Sequence, residues 1–362
     1  MFRGIQSWIG RACVVCLLLS EVAAGEPTVV EPVIDRPGPC SYCAVVADAF
    51  AEADETIDLL LSNAELDENP LWEPLVAAHE RGVRIRVLLD ESDWAPSITR
   101  KNRPTLDYLV GLGIDARFDN PSVTTHAKMV IVDRETAILG SSNWNRYAFT
   151  DQEQANVRIV DERVGEAFAE WFDRLWSDGD EVVPQIRGDP VWSATRAACI
   201  VPLPDSGGAL AYASAVLTML DQAVESVHAS LYRMSIYPGY SDSIGNSLVD
   251  ALVRAAGRGV DVRVLIDDCS FYADSAQANL TSALYLHERG IPVRFDRPEA
   301  TTHSKLIVID GEHVVLGSTN WNYYALEQNV EANVALLRMP AVAAVFDSYF
   351  EMLWREGRAI GR

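Results

Sequence analysis

Residues 124–145 read TTHAKMVIVDRETAILGSSNWN, and residues 301–322 read TTHSKLIVIDGEHVVLGSTNWN. Both stretches contain His-x-Lys, an aspartate five residues after the lysine, and Gly-Ser-x-Asn, at a constant offset of 177 positions (303 minus 126). Residues 81–90, RGVRIRVLLD, and residues 258–267, RGVDVRVLID, repeat at the same offset. Self-similarity at a fixed distance indicates a duplicated structural unit. We therefore expect two halves that share one fold.

The hydrophobic pattern of each half predicts a mixed α/β fold. Short β-branched runs predict strands, and apolar residues at helical spacing predict helices. The predicted strands cover residues 56–61, 83–89, 129–132, 137–139, 227–232, 260–266, 306–309 and 314–316. The predicted helices cover residues 44–53, 167–175, 210–224 and 341–353. Asp133-Arg134 and Asp310-Gly311 are expected to turn two hairpins.

The first residues of the chain predict an export signal. A short apolar run follows two arginines, and Val22-Ala23-Ala24 is typical of a cleavage site, although a retained N-terminal anchor is the alternative. An exported protein, periplasmic, cell-surface or secreted, is expected. The predicted organisation is a signal peptide at 1–24, an extended leader at 25–39, a first half at 40–180, a linker at 181–205 and a second half at 206–362.

The composition bears on the class of partner. The chain of 362 residues is 49% hydrophobic, which suits a globular fold, and its formal net charge is −22. Such a charge repels nucleic acid at long range, so no stable nucleic-acid partner is expected. Lysine occurs at only three positions, yet two of them, Lys128 and Lys305, lie at matching places in the repeat. This placement indicates a functional role for the two lysines.

Four cysteines lie outside the predicted signal. Cys40 and Cys43 are separated by two residues, which favours a local disulfide in an exported chain. A redox pair or half of a metal site is the alternative, but the sequence after the predicted signal contains no second Cys-x-x-Cys to complete a zinc site.

The repeated polar residues suit the chemistry of a phosphodiester. Residues i and i+2 of a strand point to one face, so each histidine of the motif should share a face with its lysine. Two lysines and two asparagine amides can hold the anionic oxygens of a transition state. One histidine can attack phosphorus while the other protonates the leaving oxygen. This scheme requires no metal ion and no other cofactor. The residues concerned are His126, Lys128, Asn143, His303, Lys305 and Asn320.

The duplicated motif resembles the signature of the phospholipase D superfamily, and the resemblance covers both halves. It implies an α/β/α sandwich in each half, a pseudo-twofold axis at the active site and a covalent phosphohistidine without a metal. By analogy, His126 is the nucleophile and His303 the general acid, although the symmetric motif by itself does not distinguish them.

The resemblance also implies a set of supporting residues. Family members often carry an acid about ten residues after the asparagine that bonds a histidine ring. Glu331 fits this position in the second half, whereas the first half has Gln154 there. The motif aspartates are expected to serve as turn and scaffold residues, and the motif serines support the site; these residues are Asp133, Asp310, Ser141 and Ser318.

Several aromatic residues near the motifs have two interpretations. Trp144 and Trp321 follow the asparagines and could line the pocket or pack in the core. Trp94 and Phe271-Tyr272 follow strand ends, in loops that could contact lipid tails or pack against the protein.

The leading functional hypothesis is an enzyme acting on phospholipid head groups, by hydrolysis or by transfer to an alcohol, at a membrane surface. The second is an exported, metal-independent nuclease of the same superfamily. The third is a binding module that has lost catalysis, against which the intact histidines and lysines of both halves argue. A monomer is expected, because the duplication already supplies an internal dimer.

Overall fold

The structure is a computed structural model that describes residues 17–18, 28–93, 95–177 and 198–360. The elements up to residue 177 are β1 (Leu17–Leu18), β2 (Val29–Asp35), α1 (Ser41–Glu52), β3 (Thr56–Leu61), α2 (Trp72–Glu80), β4 (Arg84–Leu89), α3 (Pro96–Gly111), β5 (Asp115–Phe118), β6 (Lys128–Val132), β7 (Thr136–Gly140), α4 (Arg146–Thr150), β8 (Gln152–Val160) and α5 (Glu162–Ser177).

The elements after residue 198 follow the same succession. They are β9 (Cys199–Asp205), α6 (Ala211–Gln222), β10 (Ser226–Leu231), α7 (Ile244–Gly257), β11 (Asp261–Ile266), α8 (Ala273–His287), β12 (Val293–Phe295), β13 (Thr301–Thr302), β14 (Lys305–Ile309), β15 (His313–Gly317), α9 (Tyr323–Glu327), β16 (Glu331–Leu337), α10 (Pro340–Glu356) and β17 (Arg358–Ala359). The predicted duplication is thereby confirmed at the level of elements.

The described strands form two mixed sheets. The first has the order β13-β8-β7-β6-β3-β4-β5, with β2 also paired to β8, and the second has the order β1-β9-β16-β15-β14-β10-β11-β12-β17. In each half a parallel pair, β3 with β4 or β10 with β11, adjoins an antiparallel hairpin, β6–β7 or β14–β15. The hairpins turn at Asp133-Arg134 and Asp310-Gly311, where all four residues have positive φ, as predicted.

The helices cover both faces of each sheet. Helices α1 to α3 pack on the outer face of the first sheet, and α6 to α8 on the outer face of the second. Helices α5 and α10 lie with the inner faces of both sheets in one shared cluster, to which Phe168 and Phe346 contribute fully buried rings. Burial of each such ring stabilises the fold by about 1.5–3 kcal/mol. The predicted α/β/α architecture is therefore confirmed, and the two halves share a core.

Two stretches that the sequence analysis assigned to connecting segments are strands of the sheets. Residues 29–35, predicted as part of an extended leader, form β2 and pair with β8; residues 199–205, predicted as part of a linker, form β9 and pair with β16. The prolines in these stretches suggested irregular chain. However, Pro32 lies in β2, which among the described strands pairs with β8 alone, and Pro202 and Pro204 lie in the part of β9 beyond its short pairing with β1. On the unpaired side a missing N–H costs no ladder hydrogen bond.

Some predictions fall outside the described residues. The predicted signal peptide at 1–24 is outside the described residues, apart from the short strand Leu17–Leu18. Residues 178–197 of the connection between the halves, and Trp94, are also outside them. None of the helices described is both long and apolar enough to span a bilayer. The predicted disulfide between Cys40 and Cys43 is confirmed at the start of α1, while Cys199 and Cys269 are buried.

Candidate active site

Each motif histidine is positioned by the opposite half of the chain. The backbone N–H of His126 donates to the Val330 carbonyl at 2.8 Å, and that of His303 donates to the Glu153 carbonyl at 2.9 Å. The sequence analysis expected each histidine and its lysine on one strand. In the structure the lysines are the first residues of β6 and β14, and the histidines lie two residues earlier, outside the strands. The segments before the strands pair across the two halves, and the histidines therefore meet at the junction of the halves.

The ring of His126 contacts a buried carboxylate. Its Nδ1 lies 3.0 Å from Oε2 of Glu331, a residue with no exposed surface. Ser318 Oγ donates to the same oxygen at 2.5 Å, and Asn329 Nδ2 donates to Oε1 at 3.1 Å. Because a carboxylate can only accept, Nδ1 carries the proton and Nε2 has a free lone pair. The predicted acid thus bonds the histidine of the other half.

The ring of His303 has neutral partners instead. Its Nδ1 lies 3.0 Å from the Ser141 carbonyl and 3.3 Å from Oε1 of Gln154. Ser141 Oγ donates to that amide oxygen at 2.6 Å, and Gln154 Nε2 donates to Gln152 at 2.7 Å. The amide fixes the tautomer of His303 without stabilising a positive ring by charge. The two histidines are therefore electrostatically different.

The two lysines are almost completely buried, and each Nζ donates to the carbonyl of the histidine in its own motif. Burial lowers the pKa of Lys128 to about 8, although Glu331 and Asp90 favour its charged form. Burial, followed by repulsion from Lys128, lowers the pKa of Lys305 well below its usual value. The interaction between the lysines indicates that the two motifs share one site, where a bound anion would relieve the repulsion.

The histidine pKa values show the same environment. Burial lowers the pKa of His126, and the carboxylate of Glu331 partly opposes this effect. The pKa of His303 lies well below its usual value because burial is reinforced by Lys305, Lys128 and His126. Both rings are therefore neutral near pH 7 in the free protein, and His126 is the ring whose positive form has a compensating charge.

The asparagines and tryptophans after the hairpins have different roles. The side-chain oxygens of Asn143 and Asn320 are buried, and neither has a hydrogen-bond partner among the described residues. Trp144 and Trp321 have no exposed surface, and their Nε1 atoms donate to the hydroxyls of Tyr42 and Tyr212 at 3.0 and 2.9 Å. Of the two interpretations of the tryptophans, core packing is correct.

The motif aspartates lie away from the histidines, at the hairpin turns. Asp133 accepts backbone N–H groups of residues 54, 55 and 56 at 2.7–2.9 Å, and Asp310 accepts those of residues 224, 225 and 226 at 2.7–3.1 Å. These carboxylates join each hairpin to the start of β3 or β10. Such contacts are those of scaffold residues.

The structure also reveals positioning residues that the sequence analysis missed. Asp90 and Asp267, at the ends of β4 and β11, each accept the backbone N–H of the threonine before a motif histidine at 2.7 Å. They are the last residues of the repeated stretches 81–90 and 258–267, so the repeat itself contained a signal for them. Tyr232, whose ring centroid lies 4.7 Å from that of His303, has no such signal because the first half has Ser62 at this place.

A buried ion-pair network supports the backbone around His303. Glu153, whose carbonyl holds the His303 N–H, is itself buried and binds Arg36 at 3.1 Å and Arg297 at 2.7 Å. Arg36 also binds Glu356 of α10 at 2.7 Å. The network joins the chain before α1 to the loop between β12 and β13 and to the end of α10.

One acidic cluster near the site has donors suited to a metal. Asp267, Asp268 and Asp296 offer oxygens within 4.8 Å of one another. However, the Thr302 N–H bonds both Asp267 and Asp296, and Asp268 pairs with Arg358 at 2.7 Å. The cluster therefore supports the loop before His303.

The loop after β11 carries two of the predicted lipid-contacting residues. Phe271 and Tyr272 are 75% and 64% exposed, so they do not pack in the core.

Comparisons with known proteins agree with this site. The family model described as cardiolipin synthase, PLD-like domain, matches residues 46–176 and 216–354. The chain is 30% identical over 158 residues to the mitochondrial cardiolipin hydrolase of Xenopus tropicalis, covering 44% of this chain and 67% of that protein. It is 29% identical over 162 residues to the human 5'-3' exonuclease PLD4, covering 42% of this chain and 32% of that protein.

A solved structure agrees over most of the chain. The phosphatidylserine synthase of Haemophilus influenzae superposes with a TM-score of 0.72 at 12% identity, covering 96% of this chain and 89% of that one. At this identity the likeness concerns the fold alone. With two matched family segments, the duplicated α/β/α fold and both His-x-Lys motifs at one junction, the chain belongs to the phospholipase D-like family of phosphodiesterases.

Proposed function

We propose that the protein is an exported phosphodiesterase of the phospholipase D type that acts on phospholipid head groups through a phosphohistidine. The single observation that carries the proposal is the contact of His126 with the buried Glu331 of the other half. The relative named mitochondrial cardiolipin hydrolase supports a phospholipid substrate.

The asymmetry of the histidine partners assigns their roles. Nε2 of His126 attacks phosphorus, and the bond from phosphorus to the head-group oxygen breaks. The phosphorylated ring is positive, and Glu331 stabilises it by charge. His303, protonated in the complex because the substrate phosphate favours its charged form, donates its proton to the departing oxygen.

The second step reverses these roles. Neutral His303 removes a proton from water or an alcohol, whose oxygen attacks phosphorus while the bond to His126 breaks. The products are a phosphatidic acid or a new phosphodiester, and His126 returns to its neutral form. Lys128 and Lys305 hold the non-bridging oxygens during both steps, and the amides of Asn143 and Asn320 assist them.

The proposal is tested by trapping the intermediate. Purified protein and the variants His126→Ala and His303→Ala would be mixed with a phospholipid labelled in the phosphate, quenched within one turnover and analysed by mass spectrometry. We expect label on His126 in the wild type, label that persists in His303→Ala, and none in His126→Ala. The exposed His287, replaced by alanine, is the matched control. Label on another residue, or turnover retained by both variants, would refute the mechanism.

The choice of substrate is tested separately. Release of choline, ethanolamine or glycerol from lipid vesicles, with and without added ethanol, would identify the head group and distinguish hydrolysis from transfer. We expect turnover to persist in EDTA.

A nuclease remains the second candidate, because one relative is named an exonuclease. Cleavage of single-stranded DNA in EDTA with lipid untouched would favour it. Export is tested by locating the protein in cell fractions and sequencing its N-terminus, and the expected monomer by light scattering.

A further inference from the structure

A cavity of about 490 Å³ lies beside the loop that leads from the catalytic asparagine of the second half into α9. Three tyrosines and two carboxylates line it, and none of the described residues in its wall is basic. Its wall comprises Tyr237, Tyr240, Ser241, Asp242, Tyr323 and Glu327, with the backbone of neighbouring positions.

This cavity is built by a stretch that the first half lacks. Between the first and second strands of each parallel pair there are 22 residues in the first half (62–83) and 29 in the second (232–260). The longer connection contains Tyr237, Tyr240 and Asp242. Asn246 holds it in place, accepting the Tyr237 N–H at 2.7 Å and donating to the carbonyls of Tyr237 and Tyr240 at 3.0 and 2.8 Å. The loop is therefore ordered by its own contacts.

The equivalent cavity of the first half differs because a basic residue lies in its wall. Arg146 and Thr150 line it at the positions that correspond to Tyr323 and Glu327 in the second half. Arg146 lies 3.5 Å from Glu68 and 3.8 Å from Asp151, so this cavity contains its own cation. In the second half, neither Asp242 nor Glu327 forms a salt bridge with any residue that the structure describes.

The chemistry of the wall selects one class of ligand. Tyrosine faces attract cations through the ring quadrupole, and aromatic cages recognise quaternary ammonium groups. Tyr240 is 72% and Tyr323 43% exposed, so these aromatic side chains are available to a ligand. Two carboxylates add a net negative charge that an anion would avoid.

We propose that this cavity binds an organic ammonium cation, as found in choline and ethanolamine head groups. Tyr237 anchors the cavity to α9, because its hydroxyl accepts the backbone N–H of Tyr323 at 2.9 Å. Tyr323 follows Asn320 by three residues, so one short segment of chain connects the cavity wall to the second motif. The extension to a lipid substrate rests on the proposed function, whereas ammonium binding itself does not.

Binding is measured first with free ligands, by isothermal titration of full-length protein with choline chloride, and with 3,3-dimethylbutan-1-ol as the uncharged analogue of the same shape. We expect choline to bind at least tenfold more tightly than the alcohol, and potassium chloride at equal concentration to give no signal. Equal binding of choline and the alcohol, or no choline binding, would overturn the proposal.

Variants then locate the site. We expect Tyr240→Ala and Glu327→Gln each to weaken choline binding at least fivefold, because one removes a ring and the other a charge. Thr150→Ala, at the place of Glu327 in the first half, is the matched control and should bind choline as the wild type does. Circular dichroism checks that each variant is folded. Unchanged choline binding in both second-half variants would overturn the assignment to this cavity.

Vesicles distinguish a lipid head group from a free cation. We expect wild-type protein to sediment with phosphatidylcholine vesicles more than with phosphatidylglycerol vesicles, and free choline to compete. Choline binding by a protein that cleaves no lipid would refute the proposed function and support the cavity. Lipid cleavage without choline binding would refute the cavity alone.

Discussion

Replacing Glu331 by glutamine is expected to slow the reaction strongly while the fold is maintained. Glutamine has the same shape and can still accept from Ser318 Oγ, which lies 2.5 Å from Oε2. It removes the negative charge beside His126 and replaces the oxygen that accepts from Asn329 Nδ2 by an amide nitrogen. The first half already has glutamine at the matching position 154, so the junction accommodates this side chain.

The magnitude follows from the geometry of the pair. Glu331 Oε2 lies 3.0 Å from His126 Nδ1 and has no exposed surface, so solvent does not screen it. At an effective dielectric constant of about 20, the attraction to a positive ring is roughly 5 kcal/mol. Most of this attraction offsets the cost of removing the two charges from water. The net contribution of a hydrogen bond to a charged group is about 1.5–3 kcal/mol. We therefore expect kcat to fall by about 10- to 150-fold.

The assay uses a chromogenic phosphodiester, with kcat and kcat/KM measured from pH 4 to 10. Glu331 raises the pKa of His126, so its loss should shift the acid limb of kcat/KM to lower pH. A merely structural role would not move that limb. Glu288→Gln, which neutralises an exposed carboxylate of the same half, is the control. A Glu331→Gln variant with kcat within twofold of wild type and an unmoved acid limb would refute the reasoning.

Three further predictions concern pH and stability. Because burial lowers the pKa of His126 from its usual value of about 6.5, its neutral form persists below that pH, and the acid limb of the wild-type kcat/KM should lie there. The value should fall again above about pH 8, where Lys128 loses its proton. An acid limb above pH 6.5, or a kcat/KM that stays constant up to pH 9.5, would contradict these assignments. Asp310→Ala removes the acceptor of three backbone N–H groups, so the free energy of unfolding in urea should fall by about 1–3 kcal/mol, while kcat stays within threefold of wild type. An unchanged unfolding midpoint would argue against the scaffold role. Tyr212→Phe leaves the buried indole N–H of Trp321 without its acceptor, so the free energy of unfolding should fall by about 1–3 kcal/mol in the same assay. An unchanged free energy of unfolding would contradict this prediction.

Local sequence was sufficient for much of the fold. The predicted strand at residues 56–61 agrees with β3, and the strands of both hairpins were predicted to within one or two residues. Strands of this kind are determined by β-branched runs and by turns that tolerate positive φ, as at Asp133 and Asp310. The strands β2 and β9 were missed because their prolines are acceptable only where one side of the strand is unpaired and needs no N–H, which is a tertiary property.

The partners of the histidines were beyond local reasoning. The repeated motif identified His126 and His303, and the family resemblance identified Glu331, but a carboxylate about ten residues past an asparagine has no preference for either ring until the halves pack. The structure joins Glu331 to His126 and Gln154 to His303, because the segment before each strand pairs with the other half.

By itself, the sequence determined that the chain is duplicated, that each half is α/β, and which histidines, lysines and asparagines recur. These conclusions depend on periodicity and on side-chain chemistry, which are local. The tertiary structure alone decided that each motif histidine is bonded by residues of the other half. It also decided that the longer loop with Tyr240 lines a cavity whose wall differs from that of the equivalent cavity in the first half. Both features arise from contacts between residues far apart in the chain, whose free energy depends on how whole sheets and helices pack.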